Sequence, residues 1–156
     1  MAKEIERKFL VKGDSFKKKA FLKHDIRQFY LSTDKGAVVR VRIRDDKAFL
    51  TVKGANTGAV RDEWEWEIPY RHAVEMAENL PIASEILKTR YKVDAGGGLT
   101  WEIDVFHGRL DGLVIAEIEL PDANTEITLP DFIAAEVTGN PAYYNSNIAT
   151  NPPPFS

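Results

Sequence analysis

The chain has 156 residues, 44% hydrophobic and 29% charged, the composition of one folded domain rather than a disordered segment. Lys and Arg number 21 against 24 Asp and Glu, a net charge of -3, which argues against attachment to nucleic acid by bulk positive charge. Cys is absent, which excludes disulfides, thiolate zinc sites, iron–sulfur clusters and cysteine nucleophiles.

No apolar run approaches the roughly 20 residues that span a membrane. The N-terminus is charged from Lys3 onward, unlike a signal peptide. Together with the missing Cys, these features lead us to expect a cytoplasmic protein with no membrane partner.

In chain order, Lys3 to Lys12 alternates and ends at Gly13, a first strand. Asp14 is placed to cap a short helix through about Leu22, with Phe16, Ala20 and Phe21 as its apolar side. Strands follow at Ile26–Ser32, Ala37–Arg44, Ala48–Lys53 and Val60–Pro69. The spacing of Ala73, Val74, Met76, Ala77 and Leu80 predicts a helix over His72–Leu80. Ser84–Val93 reads as a sixth strand, Gly96-Gly97-Gly98 as a turn, and Thr100–Phe106 and Leu113–Leu120 as two more strands. Pro130–Glu136 and Tyr143–Ala149 read as short helices, and Pro152-Pro153-Pro154 as an extended tail. One domain is expected over 1–149, with 150–156 as tail. The fold class is mainly β (α+β): many close-spaced strands with few helices, hence an antiparallel barrel or sandwich.

Residues i, i+2 and i+4 of a strand share a face. The third strand then presents Arg40, Arg42 and Arg44 together, and the sixth presents Lys88, Arg90 and Lys92. The fifth presents Glu63, Glu65 and Glu67, the seventh Glu102 and Asp104, the eighth Glu117 and Glu119. The first gathers Glu4, Glu6 and Lys8, and the fourth Phe49, Thr51 and Lys53. For any one strand, a solvated face is the simpler interpretation. As a set, rows of like charge about 6–7 Å apart repel unless opposite charge lies nearby. Either the rows neutralise one another across a closed lumen, or they await a ligand. The cationic rows suit phosphate oxygens, and the carboxylate rows suit Mg²⁺ or Mn²⁺.

Other features carry less. Gly96-Gly97-Gly98 lacks the Gly-Lys-Ser/Thr of a phosphate loop. His24, His72 and His107 show no metal spacing. Lys17-Lys18-Lys19 reads as a solvated helix face. Trp64, Trp66 and Trp101 fall on the apolar faces, as outer packing under helices or a partner. Few helices are available to cover eight apolar strand faces, so a homodimer is plausible.

These residues resemble a known family. Glu4-Ile5-Glu6-Arg7-Lys8 is similar to the E-x-E-x-K signature that opens the CYTH domain of triphosphate tunnel metalloenzymes. Arg40-Val41-Arg42 resembles its R-x-R strand, Thr51-Val52-Lys53 its T-x-K strand, and Glu63-Trp64-Glu65 its E-x-E strand, here after Arg61. Lys88-Thr89-Arg90-Tyr91 resembles its K-x-R segment; Glu102-Ile103-Asp104 and Glu117-Ile118-Glu119 resemble its last acidic strands. Glu136-Val137-Thr138 with Tyr143 and Asn145 resembles its closing segment, but Gly139-Asn140-Pro141-Ala142 stands where the family carries an Asp and basic residues.

The resemblance implies an eight-stranded antiparallel tunnel barrel with a few short helices outside. It implies metal-dependent hydrolysis of a triphosphate, most of all inorganic tripolyphosphate, as in the short bacterial members. Other activities of the family are thiamine triphosphate hydrolysis and class IV adenylyl cyclase; a non-catalytic polyphosphate-binding module is the alternative of another class. By resemblance, Lys8, Arg40, Arg42, Lys53, Lys88 and Arg90 bind the phosphates, with Lys8 and Lys88 catalytic and Arg44 at the rim. Glu4, Glu6, Glu117 and Glu119 hold Mg²⁺ or Mn²⁺, and Glu63, Glu65, Glu102 and Asp104 place a second metal or the attacking water.

Overall fold

The computed structural model describes residues 2–154. Strands β1 (Ala2–Val11), β2 (Leu22–Asp34), β3 (Ala37–Arg44), β4 (Lys47–Lys53) and β5 (Val60–Ile68) occupy the first half. They are followed by β6 (Ser84–Gly96), β7 (Leu99–Phe106), β8 (Val114–Glu119) and β9 (Ile133–Glu136). The helices are α1 (Phe16–Lys19), α2 (Tyr70–Asn79) and α3 (Asn145–Thr150). Strands β5, β4, β3, β2, β6, β7, β8 and β1 pair in that order, and β1 returns to β5. This closes an eight-stranded antiparallel barrel, with the closing β1–β5 pairing confined to residues 2–5 and 60–63.

The β3–β4 hairpin turns on Asp45, whose φ of 55° is tolerated by a short polar side chain. That side chain accepts from His24 Nδ1 at 2.6 Å and from the Asp25 backbone N at 3.2 Å, which ties the turn to β2. Gly96, Gly97 and Gly98 all take positive φ between β6 and β7, so the triple glycine is a turn, as its composition suggests.

Two sequence expectations need correction. Pro130–Glu136 is not helical: Ile133–Glu136 is strand β9, paired to β1 through Phe9↔Glu136 and Val11↔Ile133. The cause is a vacancy on one edge of β1: β5 pairs only residues 2–5 of that strand, and β9 takes the stretch beyond. The first helix is also much shorter than expected, four residues with Ser15 as its cap, and Phe21 and Leu22 are exposed. Leu22 opens β2 by pairing with Lys92 of β6, so the ladder ends the helix.

Three apolar clusters hold the barrel. Outside β1, β6, β7 and β8, Trp101 packs with Phe9, Ile103, Ile118, Phe16 and Phe132, beneath α1 and the segment leading into β9. Outside β2–β4, Phe29, Val41, Ile43 and Ala48 pack against Ala73 of α2. The third cluster is Tyr30, Ile86, Phe106 and Ile115 with Ile148 and Ala149 of α3. By register its strand residues share the inward face with Arg40, Gln28, Lys88 and Asp104, so this cluster is an apolar floor at one end of the lumen. Trp101 is buried as expected, whereas Trp64 and Trp66 lie on the outer face at 37% and 52% exposure.

Candidate functional site

Strand alternation aims the charged rows inward, and the lumen forms a cavity of about 230 Å³. It is lined by Lys8, Arg40, Arg42, Arg44, Lys53, Arg61, Arg90 and Lys92 and by Glu4, Glu6, Glu63, Glu65, Glu102, Glu117 and Glu119. Thus five of the six expected phosphate-binding cations and seven of the eight expected carboxylates line one cavity. The remaining pair, Lys88 and Asp104, is level with the floor residues Phe106 and Ile115 and outside the cavity lining, with side chains 0% and 1% exposed. Arg61 and Lys92 were not among the expected site residues. Lys92 stands on the row that alternation had already drawn through Lys88 and Arg90, and Arg61 stands two residues from Glu63, so the same alternation extends to it. Tyr144, Asn145 and Ser146 close the α3 end of the cavity.

The cations are held by the carboxylates. Lys53 Nζ donates to Glu4 Oε1 at 3.0 Å and lies 3.2 Å from Glu63. Arg42 donates to Glu65 at 3.2 Å, with the Arg40 guanidinium 3.7 Å from the same oxygen. Thr51 also donates its hydroxyl to Glu65, at 2.7 Å. Arg90 reaches Glu102 through Nη1 at 3.4 Å, and Lys92 lies 3.7 Å from that carboxylate. Lys8 Nζ donates to the Tyr143 carbonyl at 2.9 Å and sits over the Tyr144 ring. Five buried polar atoms of the lining have no partner: Arg40 Nε, Arg42 Nε, Asn56 Oδ1, Glu117 Oε1 and Asn145 Oδ1. Two orphaned guanidinium N–H groups mark where an anion would be welcomed, since each costs free energy while unpaired.

Crowding splits the carboxylates into protonated and ionised members. Burial and the proton donated to Glu4 raise the Glu63 carboxyl to about 7. Glu4 falls to about 2: burial opposes ionisation, but the Lys53 charge and the Glu63 proton outweigh it. Glu6 is pushed well above its ordinary value by burial and by the Glu117 and Glu4 charges. Glu117 stays ionised despite burial, beside Lys8, Arg90 and Lys88 and accepting from Glu6. Burial, with Arg40 and Arg90 alongside, lowers the Arg42 guanidinium to about 10, still charged at neutral pH. Eight cations face seven carboxylates in the lining, and the protons kept by Glu6 and Glu63 widen that excess. A protein of net charge -3 therefore carries a net positive lumen.

Among the described residues, no three His, Cys, Asp or Glu side chains are gathered as a preformed metal site. The lumen nonetheless offers seven Glu carboxylates, the hard oxygen donors that Mg²⁺ and Mn²⁺ prefer, and Glu117 Oε1 is free of any partner. The side chains are suited to a divalent ion but are turned toward the cations.

A closed antiparallel barrel with cationic and carboxylate rows facing a shared lumen is the architecture of the CYTH domain. The family model matches residues 2–147, and the chain belongs to that family. It is 51% identical over 154 residues to an inorganic triphosphatase of Acetivibrio thermocellus, covering 97% of this chain and 96% of that one. It is 33% identical to an inorganic triphosphatase of Nitrosomonas europaea, covering 96% and 99% respectively. Among solved structures, a crystal structure of an inorganic triphosphatase superposes with a TM-score of 0.66 at 29% identity, over 97% of this chain and 100% of that one.

Proposed function

We propose that this chain hydrolyses inorganic triphosphate within the barrel lumen. The observation that carries the proposal is the net positive lining with orphaned Arg40 and Arg42 N–H groups, in a chain whose relatives are inorganic triphosphatases. Lys8, Arg40, Arg42, Lys53 and Arg90 would grip and orient the phosphate oxygens and offset the charge that builds on them during transfer. Lys8, with the fixed Tyr143 carbonyl behind it, is the proposed catalytic cation within the cavity. Lys88 is proposed with it, and would touch the phosphates only after rotating away from Asp104; burial lowers its amine to about 8, which suits proton exchange near neutral pH.

Membership of the family implies a divalent-metal requirement, and we propose Mg²⁺ or Mn²⁺. Glu4, Glu6, Glu117 and Glu119 would hold the ion, with Glu63, Glu65 and Glu102 as donors to a second ion or to the attacking water. When bound, the ion supplies charge neutralisation across the phosphate oxygens. Water attacks the terminal phosphorus in line, so no protein nucleophile is required.

We further propose a cytoplasmic location, and a homodimer through the outer face that bears Trp64 and Trp66. The function is tested with triphosphate, thiamine triphosphate, ATP and pyrophosphate, each with Mg²⁺, Mn²⁺ or Ca²⁺, scored for orthophosphate and cyclic AMP. Orthophosphate from triphosphate is expected to dominate, and Glu6→Ala and Lys88→Ala should each lower turnover by roughly tenfold or more. Near wild-type rates in either variant would remove that residue from the site, and binding of triphosphate without phosphate release would make the chain a binding module.

A further inference from the structure

Asp104 was expected to serve a metal or the attacking water, but its surroundings assign it other work. It is fully buried and accepts three charged hydrogen bonds. Lys88 Nζ donates to Oδ2 at 2.6 Å, Arg90 Nε to Oδ1 at 2.7 Å and Arg90 Nη2 to Oδ2 at 2.9 Å. The Arg90 contact is the two-point fork that fixes a guanidinium in plane and angle. It leaves Nη1 outside the fork, and Nη1 is the atom that reaches Glu102 on the adjacent strand β7 at 3.4 Å. Asp104 itself is absent from the cavity lining, while Arg90 belongs to it.

The charges of the trio explain why Lys88 is part of it. Asp104 alone would cancel the Arg90 cation and leave the lumen nothing to use. Lys88, level with the floor residue Phe106, neutralises Asp104 from the floor side. The trio keeps one net positive charge, presented at Arg90 Nη1. A buried carboxylate with two cations is also the arrangement in which no charge is left uncompensated.

We propose that Asp104 is a positioning residue, which aims Arg90 at a lumen phosphate, rather than a metal ligand. The proposal rests on triphosphate as the lumen's ligand. An Arg held by two bonds has lost its rotational freedom before the phosphate arrives, so the phosphate need not order it. Released from Asp104, Arg90 keeps its charge but folds back on Glu102, already 3.4 Å away.

The test compares Asp104→Asn, Arg90→Ala and the double variant with the unmodified protein. At saturating Mg²⁺, Asp104→Asn should raise the KM for triphosphate about tenfold while the Mg²⁺ concentration for half-activation stays within about twofold. In the Arg90→Ala background the same substitution should add little, because its target is gone. A shifted Mg²⁺ midpoint with unchanged KM would make Asp104 a metal ligand and overturn the proposal. So would a lowered melting temperature with KM and kcat intact, or a full Asp104 effect without Arg90. Should Asp104→Asn fail to fold, Arg90→Lys replaces the fork with a single-point amine in an intact trio and should raise KM likewise; an unchanged KM there refutes the aiming role. If the unmodified protein releases no phosphate, the proposed activity fails, yet the positioning role is still read without metal: triphosphate should raise the melting temperature of the unmodified protein more than that of Asp104→Asn, and equal shifts refute it.

Discussion

Glu63 titrates in a window where few other lumen groups do, and its replacement by Gln has a sign and a size that follow from the structure. Its carboxyl is raised from 4.5 to about 7, first by burial and then by the proton it shares with Glu4. A carboxyl that holds its proton more tightly when folded costs stability as pH rises from its ordinary value to the raised one. Between 4.5 and 7 the unfolded chain has shed this proton and the folded chain keeps it, so stability falls across that interval. Above about pH 8 the whole cost is present. Full linkage is about 3 kcal/mol, and the half-exposed position of Glu63 screens it to ~1–2 kcal/mol. Glu4, Glu65, Glu117 and Asp104 are shifted downward. Their stabilisation is therefore complete above about 4.5 and adds no slope in this window. Glu6 and Glu119 are raised, but they titrate alike in both proteins. Gln keeps the shape of Glu63 and can still donate to Glu4, without titrating. Urea unfolding with chelator present should find the two proteins similar near pH 5. At pH 8, Glu63→Gln should be the more stable by ~1–2 kcal/mol, or roughly 2–8 °C in melting temperature. Parallel stability profiles from pH 5 to 8.5 would refute the shared proton.

Mg²⁺ and triphosphate should bind cooperatively, since an ion taken by the carboxylates releases Lys53, Arg42 and Arg90 to the phosphates; each ligand should tighten the other about tenfold, read as a melting shift larger than the two separate shifts combined. Trp101→Ala, in the cluster outside the barrel, should cost ~3–5 kcal/mol and leave the triphosphate KM of the folded enzyme unchanged, as measured by urea unfolding and steady-state kinetics. Trp66→Ala should leave monomer stability within about 0.5 kcal/mol and weaken any homodimer; sedimentation velocity at several concentrations reads this directly.

The lumen was legible in the sequence because a strand has period two. Once Arg40-Val41-Arg42 or Glu63-Trp64-Glu65 is a strand, the facing of each side chain follows. Height along the barrel is another matter. Lys88 and Arg90 share a face, yet one is buried at the floor and the other lines the cavity. Strands in a barrel are staggered, so height depends on the neighbours' register, which no single strand encodes. A partial signal was present: Ile86 precedes Lys88 by two, Phe106 follows Asp104 by two, and Ile115 precedes Glu117 by two. Each charged row ends on an apolar residue of the same face, and those residues are the floor. The segment 130–136 was misread for the opposite reason. Phe132-Ile133-Ala134-Ala135 suits a helix locally, and its strand state is imposed by an edge of β1 far away in sequence.

The small net charge of the chain hides a lumen that cannot be neutral and useful at once. If every cation were paired to its own carboxylate, an anion would have to break those pairs at several kcal/mol each. If the carboxylates were missing, eight cations around about 230 Å³ would repel one another and the barrel would not close at low salt. The sequence takes neither course. Glu4, Glu65 and Glu117 stay ionised and, with Glu102 beside Arg90 and Lys92, hold the rows together, while Glu6 and Glu63 keep protons that can be dismissed. Were Glu6 and Glu63 to hold a divalent ion in place of those two protons, fewer carboxylates would be left for Lys53 and its neighbours. The positive excess left behind would then fall on the groups proposed to face the phosphates. On the proposed site, metal, proton and triphosphate would compete and cooperate through one set of side chains, so triphosphate affinity should rise with pH through about 7 when Mg²⁺ is present, and should rise less in Glu63→Gln.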